Sequence, residues 1–517
     1  MVEKQVSILW VDDEIEHLRA HLMYLQEKGC AVDAVTNGMD AIDHVEAKNY
    51  DLVFLDENMP GLSGLETLSK LKELKPEVPV VMITKSEEED IMDQAIGNKI
   101  YDYLIKPVNP KQILLTIKKI TDQRRLVAQS TTSAFQSQFT QLSLKINDSI
   151  NLNDWMENYR KLTFWELELE SAGGAMDEVL KMQKAEANRE FAKFIKRNYI
   201  DWLNNGGALM SHQLFKEKVF PVLNKGEKIF FILIDNFRFD QWQTIRQELS
   251  SYFTFIEDDM YCSILPTATQ YARNAIFSGL MPSKIQEMYP QYWVEEDDEG
   301  SKNQYEEELI HTQFERFRRK EKVSYHKINE LDAGKKLVEN FNQLLNYDIN
   351  VIVFNFVDML SHARTEMKMI KELAGDEAAY RSLTYTWYMH SPLKSLLEKI
   401  ANENATVMVT TDHGTIRVKD PVKVVGDRTV NTNLRFKEGK NLAYNSKEVF
   451  EVKVPEKAFL TRANVSSTYI FAINDDFFAY PNNYNYYVNY YRDTFQHGGI
   501  SIEEMLIPFV VMKGKNV

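Results

Sequence analysis

Residues 405–413 read ATVMVTTDH, so a run of apolar residues leads almost directly into Asp412 and His413. Two further apolar runs end beside a carboxylate in the same way, at Asp235 and at Asp358. Short apolar runs of this kind are typical of buried strands. In an open α/β sheet the carboxyl ends of parallel strands form the ligand crevice. The pattern therefore predicts an α/β domain with three carboxylates gathered at one edge of its sheet.

Histidines extend this set of carboxylates. His362 follows Asp358 by four residues, and a helix starting near Met359 would place both side chains on one side. His497 lies near the C-terminus, in the sequence His-Gly-Gly. Carboxylate and imidazole ligands suit Zn²⁺, and the set is large enough for two ions. A single histidine is more often packed or exposed than a ligand, so the prediction depends on the whole set.

Two threonines are candidate nucleophiles. Residues 265–270 read LPTATQ and precede a helical pattern over residues 271–277, which places Thr267 and Thr269 at the start of a helix. The N–H groups and the dipole at a helix N-terminus favour a phosphate. A hydroxyl bound to Zn²⁺ has a lowered pKa and becomes a nucleophile near neutral pH. A threonine at this position is otherwise a simple helix cap.

The N-terminal region shows five repeats of a short apolar run followed by a helical pattern. The apolar runs lie at residues 7–11, 31–35, 52–55, 80–83 and 101–105. This alternation predicts a doubly wound parallel sheet. Residues 121–220 differ, because their apolar residues are spaced by three and four, as in Phe135, Phe139 and Leu142. That spacing predicts a helical bundle or stalk between the two α/β regions.

Polar side chains follow the strands at one edge of the N-terminal sheet. They are Asp12 and Asp13 after the first strand, Asp56 after the third, Thr84 after the fourth and Lys106 after the fifth. Mg²⁺ prefers carboxylate ligands, and an aspartate beside Mg²⁺ can attack a phosphoryl group. Lys106 could pair with a phosphate oxygen and Thr84 could donate to another. The sequence therefore predicts a phosphate-accepting aspartate.

Composition narrows the classes of function. The 517 residues carry 61 basic and 76 acidic side chains, a net charge of −15, which disfavours general binding to nucleic acid backbones. Two cysteines, Cys30 and Cys262, lie far apart in sequence and fit a reducing compartment. We find no signal peptide and no run approaching the roughly 20 apolar residues of a membrane span. We therefore expect a soluble, cytoplasmic protein without membrane insertion.

The N-terminal motifs resemble those of a two-component receiver domain over residues 5–122. They are Asp12-Asp13, Asp56-Glu57-Asn58-Met59-Pro60 with Gly64, Thr84, and Lys106-Pro107. The resemblance implies that Asp56 is phosphorylated and that Tyr103 is the rotating switch aromatic. It also implies a Mg²⁺ ion held by Asp13, Asp56 and the backbone carbonyl of Asn58, with Asp12 assisting. Lys85 stands where the family usually has a small residue, and a long cation there could restrict access to the phosphoryl group.

Residues 221–517 resemble the PglZ branch of the alkaline phosphatase superfamily. The resemblance is carried by Asp235, Thr269 with SGLMP at 278–282, Asp358/His362, Asp412/His413 and His497. It implies one Zn²⁺ held by Asp358, His362 and His497, and a second held by Asp235, Asp412 and His413. It favours Thr269 over Thr267 as the nucleophile, placed between substrate and metal, and it implies that Thr269 is itself one of the zinc ligands. Arg273, four residues further on, is expected either to contact a phosphate oxygen or to form a structural salt bridge.

The three regions together resemble the PorX-type response regulators, with a receiver at residues 1–122, a helical linker at 123–220 and a PglZ domain at 221–517. The resemblance implies a cognate histidine kinase, an association with type IX secretion, and partner proteins in secretion or transcription. It implies phosphodiesterase-like activity on nucleotide substrates, such as cyclic or linear oligonucleotides. Phosphorylation must act through a two-state element, for which we expect a phosphorylation-dependent homodimer.

Three functions from different classes remain open on the sequence alone. The leading hypothesis is a phosphorylation-controlled zinc phosphoesterase with Thr269 as its nucleophile. The second is a catalytically silent module that binds zinc or a nucleotide and acts through protein contacts. The third is a DNA-binding transcription factor, which is disfavoured by the net charge of −15 and by the lack of a compact helix-turn-helix pattern after the receiver.

Overall fold

The computed structural model describes residues 5–85, 100–174, 176–294, 301–366, 375–426, 431–462 and 466–515. The chain divides into two compact units, Met1–Ala134 and Phe135–Val517. The division falls within a long helix, Pro110–Asn147. Among the helices of the described ranges, none offers the apolar length that a bilayer crossing requires.

The first unit contains a parallel sheet of five strands in the order β2-β1-β3-β4-β5. The strands are β1 (Val6–Val11), β2 (Cys30–Val35), β3 (Leu52–Asp56), β4 (Val80–Thr84) and β5 (Asp102–Ile105). The helical segments are Ile15–Leu18 (3₁₀), Arg19–Glu27, Gly38–Ala47, Gly64–Leu74 and the start of Pro110–Asn147. The predicted doubly wound sheet is confirmed. The helix expected between β4 and β5 falls at residues 86–99, outside the described ranges.

Both faces of this sheet are buried. Successive residues of a strand point to opposite sides, and the central strands β1 and β3 are apolar almost throughout. Leu9 packs in the hydrophobic cluster on one face, together with the helices Gly38–Ala47 and Gly64–Leu74. Trp10 packs in the cluster on the other face, together with the helices Arg19–Glu27 and Pro110–Asn147. Helices therefore cover both faces of the sheet, so a functional site can form only at its edges.

The second unit begins with long helices. The remainder of Pro110–Asn147 is followed by Leu152–Ser171 and Asp177–Asn205, so the predicted helical linker is confirmed. Asn151 starts the second of these helices with a capping box. Its side chain accepts from the N–H of Asp154, and the Asp154 carboxylate accepts from the N–H of Asn151. This reciprocal bonding fixes the residue at which the helix starts.

A six-stranded sheet forms the centre of the second unit, in the order β7-β18-β10-β6-β9-β8. Its strands are β6 (Lys228–Ile234), β7 (Phe253–Cys262), β8 (Val323–Ile328), β9 (Ile349–Phe354), β10 (Ala405–Thr410) and β18 (Leu506–Gly514). Strands β10, β6, β9 and β8 run parallel, while β18 is antiparallel to both of its neighbours. The carboxyl ends of β10, β6 and β9 therefore lie side by side, as the apolar runs predicted.

The remaining elements surround this sheet. The further helical segments of the second unit are Ser211–Gln213, Phe215–Val219, Phe220–Leu223, Phe239–Leu249, Thr269–Ser278, Pro282–Met288, Pro290–Tyr292, Glu306–Arg316, Leu331–Glu339, Phe341–Leu344, Phe356–Glu366, Glu377–His390, Pro392–Ile400, Pro455–Ala458, Tyr484–Tyr491 and Ile502–Met505. Three small sheets are formed by β11 (Ile416–Arg417) with β17 (Phe495–Gln496), by β12 (Asp420–Lys423) with β16 (Asp476–Ala479), and by β13 (Phe436–Gly439), β15 (Thr468–Ala472) and β14 (Val449–Val452). The pairing of β11 with β17 brings the C-terminal segment beside the loop that follows β10.

Candidate functional sites

Three carboxylates meet at the carboxyl edge of the first sheet. Asp12 and Asp56 are buried and Asp13 is exposed, and a carboxylate oxygen from each lies within 4.8 Å of the others. They meet because β1 and β3 are paired in parallel and end at the same edge. Oxygen ligands at this spacing are suited to a shared hard cation such as Mg²⁺.

Lys106 supplies a positive charge to this group. Its ammonium nitrogen lies 2.8 Å from Oδ2 of Asp56 and 2.9 Å from Oδ2 of Asp12. Burial raises the pKa of the Asp56 carboxyl, and the hydrogen bond from Lys106 opposes that rise. Burial alone would lower the pKa of Lys106, but its bonds to the two carboxylates outweigh this and raise the pKa. Lys106 therefore stays charged and offsets part of the negative charge.

The other predicted receiver residues differ in how deeply they are buried. Thr84 is buried at the end of β4, Tyr103 is 40% exposed on β5, and Asn58 is exposed. The ammonium group of Lys85 is exposed and lies 3.4 Å from the carboxylate of Glu14. Thr84 and Tyr103 lie on β4 and β5, which follow β3 in the sheet, and the roles of these residues stay predictions.

In the second unit, Asp235, Asp412 and His413 form one buried cluster, which we call cluster A. Asp235 follows β6 and the other two follow β10, so the pairing of these strands brings them together. Nε2 of His413 lies 3.9 Å from Oδ1 of Asp235 and 3.8 Å from Oδ2 of Asp412. Ligand atoms from all three lie within 4.8 Å of one another. The sequence predicted this group.

A second group, which we call cluster B, is formed by Asp358, His362 and His497, again with ligand atoms within 4.8 Å of one another. Nε2 of His362 lies 3.4 Å from Oδ2 of Asp358, and Nε2 of His497 lies 3.8 Å from Oδ1 of the same carboxylate. The helix that carries Asp358 begins at Phe356 rather than near Met359. The spacing of four residues nevertheless brings Asp358 and His362 together as predicted.

The two clusters are neighbours. The imidazole rings of His413 in cluster A and His497 in cluster B are stacked, with ring centroids 4.3 Å apart. Nδ1 of His413 lies 3.1 Å from the carbonyl oxygen of Gly414, and Nδ1 of His497 lies 3.2 Å from that of Thr267. When Nδ1 of each ring donates to its carbonyl, the two Nε2 atoms are left as electron-pair donors that face the carboxylates.

The charges in these clusters are unbalanced. Burial raises the pKa of the Asp235 carboxyl, and the neighbouring carboxylates Asp412 and Asp358 raise it further, against the influence of Arg273. Burial lowers the pKa of His497 to about 3, so this imidazole is neutral and does not neutralise its neighbours. A neutral imidazole beside carboxylates is the donor set that Zn²⁺ uses in proteins. The residues present therefore fit one such ion in each cluster.

Thr269 borders cluster A. It is the first residue of the helix Thr269–Ser278 and is half-buried. Its hydroxyl oxygen lies 3.2 Å from Nε2 of His413 and 3.4 Å from Oδ1 of Asp235. The hydroxyl thus lies beside both the potential metal ligands and the N–H groups of the first helical turn, which attract anions.

Thr267 has a different surrounding. It is completely buried, its hydroxyl donates to the carbonyl oxygen of Gly499 at 2.9 Å, and the same hydroxyl accepts from the N–H of Gly498 at 3.0 Å. Thr267 therefore fixes the loop that carries His497. Among the hydrogen bonds of the described residues, the hydroxyl of Thr269 contacts cluster A and the hydroxyl of Thr267 does not.

Arg273 forms the structural salt bridge that was one of its two expected roles. Its guanidinium is completely buried and is paired with Asp235, with Asp412 at 3.0 Å and with Glu306 at 3.2 Å. Three carboxylates of the chain therefore already pair with this guanidinium. The expected contact with a phosphate oxygen stays a prediction.

Several residues of the site were not predicted. Asn236 directly follows Asp235 and hydrogen bonds to both clusters. Glu306 is 1% exposed although it begins the acidic sequence EEE, which looks like a solvated surface. An ion network further joins the linker to the segment after β6, through Arg238–Asp240, Arg381–Asp240, Arg381–Glu166 and Lys184–Glu166. The opposite charges of Arg238 and Asp240, two residues apart, are a sequence signal that could have indicated part of this network.

Comparison with known proteins agrees with this architecture. The family model of the response regulator receiver domain matches residues 8–118, and that of the PorX response regulator linker domain matches residues 125–203. The model of the BREX system PglZ alkaline phosphatase-like domain matches residues 214–512. The fold and sites thus define a response regulator with an alkaline phosphatase-like output domain. The chain belongs to the PglZ family, and its three domains match the PorX-type architecture.

Individual relatives match only part of the chain. Transcriptional regulatory protein ResD of Bacillus subtilis is 36% identical over 116 residues, which cover 22% of this chain and 48% of ResD. Transcriptional regulatory protein ZraR of Klebsiella oxytoca is 34% identical over 139 residues, 27% of this chain and 31% of ZraR. The chain thus spans less than half the length of these curated relatives.

Solved structures match a similar share of the chain. A CheY-like receiver domain protein from Methanospirillum hungatei is 26% identical and has a TM-score of 0.23, covering 23% of this chain and 97% of that one. Response regulator TrrA from Thermotoga maritima, solved with Mg²⁺ and BeF, is 30% identical with a TM-score of 0.21, covering 22% and 99%.

Proposed function

We propose that this chain is a response regulator in which phosphorylation of Asp56 controls a zinc-dependent phosphoesterase in the PglZ domain. The proposed substrates are phosphodiesters of nucleotides or oligonucleotides, and Thr269 is the proposed nucleophile. One observation carries the proposal. The Thr269 hydroxyl lies 3.2 Å from His413 and 3.4 Å from Asp235, at a helix N-terminus and beside two adjoining carboxylate–imidazole clusters.

In this proposal cluster A (Asp235, Asp412, His413) and cluster B (Asp358, His362, His497) each hold one Zn²⁺, with Thr269 adjoining cluster A. Bound zinc would lower the pKa of a coordinated hydroxyl and offset the charge of the phosphate. The side chains of the two clusters orient the ligand atoms, and the N–H groups that open the helix Thr269–Ser278 bind phosphate oxygens. Oγ of Thr269 gives up its proton and attacks phosphorus, a Thr–O–P bond forms, and the bond to one ester oxygen breaks, so that this oxygen leaves as an alcohol after taking up a proton. Water then hydrolyses the Thr–O–P bond of the intermediate, which still carries the second ester group, releases a phosphomonoester and restores the hydroxyl.

The receiver supplies the proposed control. A phosphodonor such as a histidine kinase transfers a phosphoryl group to Asp56, with Mg²⁺ held by Asp12, Asp13, Asp56 and the carbonyl of Asn58. Lys106 already pairs with Asp56 at 2.8 Å and would pair with the phosphoryl oxygens. Thr84 and Tyr103 reorient in response. By the PorX-type architecture we further propose a phosphorylation-dependent homodimer, a cytoplasmic location, and a role in type IX secretion with secretion or transcription partner proteins.

Replacing Thr269 tests the enzymatic part of the proposal. We expect Thr269→Ala to lower kcat for a chromogenic phosphodiester by at least about 10³-fold while zinc content stays at two ions per chain, because the nucleophile is lost and the six carboxylate and imidazole ligands remain. Thr269→Ser is the matched control, since it keeps a hydroxyl at the same position, and we expect it to retain measurable turnover.

Metal analysis and turnover of the wild-type chain, with and without a chelator and acetyl phosphate, complete the experiment. Undiminished turnover by the alanine variant would reject the nucleophile. Zinc without turnover across phosphomonoesters and diesters would favour the alternative of a silent zinc-binding or nucleotide-binding module. A change in turnover on adding acetyl phosphate that disappears in Asp56→Ala would support control by the receiver.

A further inference from the structure

Asn236 occupies an unusual backbone position between the two clusters. It follows Asp235 at the end of β6, has a φ of 60° and is completely buried. This left-handed conformation is disfavoured for most side chains and is adopted chiefly by glycine and, less often, by asparagine or aspartate. Glycine would meet the backbone requirement more easily, so the backbone alone does not explain why an amide side chain is held here.

The contacts of Asn236 join cluster A to cluster B. Its backbone N–H donates to Oδ1 of Asp412 in cluster A, at 3.4 Å. Its side-chain Nδ2 donates to Oδ1 of Asp358 in cluster B at 3.2 Å, and to the hydroxyl of Ser361 at 3.1 Å. A single residue thus contacts a carboxylate of each cluster, while its covalent neighbour Asp235 is itself a member of cluster A.

The side chain is held for donation rather than for general packing. Oδ1 of Asn236 is buried and finds no hydrogen-bond partner among the residues that the structure describes. An unsatisfied buried acceptor costs stability, so the orientation of the amide is set by what Nδ2 donates to. Its acceptors are the Ser361 hydroxyl and Oδ1 of Asp358. The other oxygen of Asp358, Oδ2, lies 3.4 Å from Nε2 of His362.

We propose that Asn236 is a positioning residue that fixes the Asp358 carboxylate of cluster B relative to cluster A. The amide occupies Oδ1 and so turns Oδ2 toward His362, which sets the geometry at which cluster B takes a metal ion. Outer partners of this kind change metal affinity or activity by about 10–100-fold when they are removed. The inference rests on the proposed two-metal site, and it concerns the affinity of one cluster relative to the other.

Asn236→Gly is the variant that tests this role. Glycine accepts the left-handed backbone and keeps the N–H that donates to Asp412, so the substitution removes only the amide side chain. The metal-free full-length chain is titrated with zinc against a chromogenic chelator, which gives the affinity of each site. We expect the affinity of cluster B to fall by about 10–100-fold and that of cluster A to change little. Asp358→Asn identifies which affinity belongs to cluster B.

Asn441→Gly is the matched control. Asn441 has a φ of 51° but lies exposed and belongs to neither cluster, so the same substitution at the same backbone conformation should leave both affinities unchanged. If the glycine variant at 236 does not fold, Asn236→Leu carries the test, because its side chain has nearly the shape of the amide and cannot donate a hydrogen bond. The ratio of the two zinc affinities should again change.

The outcomes separate this inference from the function on which it rests. A wild-type chain that binds zinc at neither cluster overturns both. A wild-type chain with two zinc sites and an Asn236→Gly variant with the same two affinities overturns only the positioning role. A selective loss at the cluster that Asp358→Asn also weakens supports the inference, whether or not the protein turns over any substrate tried.

Discussion

The receiver and the PglZ domain place carboxylates at the same topological position and give them different companions. In both, acidic side chains follow neighbouring parallel strands at the carboxyl edge of a sheet. In the receiver the companion is a lysine, Lys106, and in the PglZ domain it is three imidazoles together with the buried Arg273. Oxygen ligands beside a lysine suit Mg²⁺ and a transient phosphoryl group, whereas mixed oxygen and nitrogen ligands suit tightly held Zn²⁺. The topology therefore determines where a site forms, and the companion residues determine its chemistry.

Removing one carboxylate from each site tests this difference and should have the largest effect. We expect Asp412→Asn to lower zinc affinity and turnover by more than about 10²-fold. Removing a residue that only hydrogen bonds to a metal ligand already lowers metal affinity or activity by about 10–100-fold, and removing a direct ligand should cost more. Asp12→Asn should leave zinc content and unphosphorylated turnover unchanged and slow labelling of Asp56 by acetyl phosphate. The measurements are zinc content, diester turnover and phosphorylation in each variant. Equal effects of both variants on zinc would show that the two sites are not chemically distinct.

The buried cations provide the second test. Arg273 is 0% exposed and contacts three carboxylates, whereas Lys106 is 13% exposed and contacts two. Removing one partner of a buried ion pair costs about 3–5 kcal/mol, because the remaining charge is left uncompensated. We expect Arg273→Met to destabilise the metal-free second unit by that amount, and Lys106→Met to destabilise the first unit by less.

Hydrogen exchange followed by mass spectrometry reports the stability of each unit separately, so it measures the loss of stability in both variants. Zinc should restore part of the stability lost in Arg273→Met, since a ligand bound only by the folded state stabilises it. The same zinc should not restore Lys106→Met. A smaller loss for Arg273→Met than for Lys106→Met would contradict the view that Arg273 is a structural cation of cluster A.

Much of both sites could be predicted from the sequence, because the rule that locates them is local. An apolar run followed by a polar residue indicates the end of a strand, and parallel strands bring their ends together. That reasoning placed Asp235, Asp358 and Asp412 at one edge. The spacing of four residues placed His362 beside Asp358, and the helix start placed Thr269 at an anion-binding position.

The remainder could not be predicted because it depends on which side of an element faces the sheet. The spacing of four residues puts Arg273 on the same side of its helix as Thr269. It does not predict the direction in which the guanidinium group turns. Glu306 lies in an acidic run, and its burial depends on Arg273 and Tyr325, which meet it only in the folded chain. The role of Asn236 likewise depends on Asp358, which is 122 residues away in sequence.

The smallest expected effect concerns Lys85 and sharpens the comparison on the receiver side. Its ammonium group pairs with Glu14 at 3.4 Å, so an ion pair joins the segment after β4 to the segment after Asp12 and Asp13. Both partners are exposed, and exposed pairs contribute about 0–1 kcal/mol. We expect Lys85→Ala to speed the hydrolysis of the phosphorylated Asp56, because water reaches the acyl phosphate more easily once the ion pair is lost. The increase should be at most about fivefold, the factor that corresponds to about 1 kcal/mol.

A radiolabelled or Phos-tag decay assay on the full chain measures this rate. Lys119→Ala is the matched control, because Lys119 pairs with Asp102 at 3.3 Å and is also exposed, but neither residue follows Asp12 or Thr84. An equal acceleration in both variants would mean that general surface charge, rather than the Lys85–Glu14 pair, sets the rate. A slower decay in Lys85→Ala would show instead that the cation assists hydrolysis, so that its role would lie closer to that of Lys106, the cation proposed to pair with the phosphoryl oxygens, than its exposure suggests.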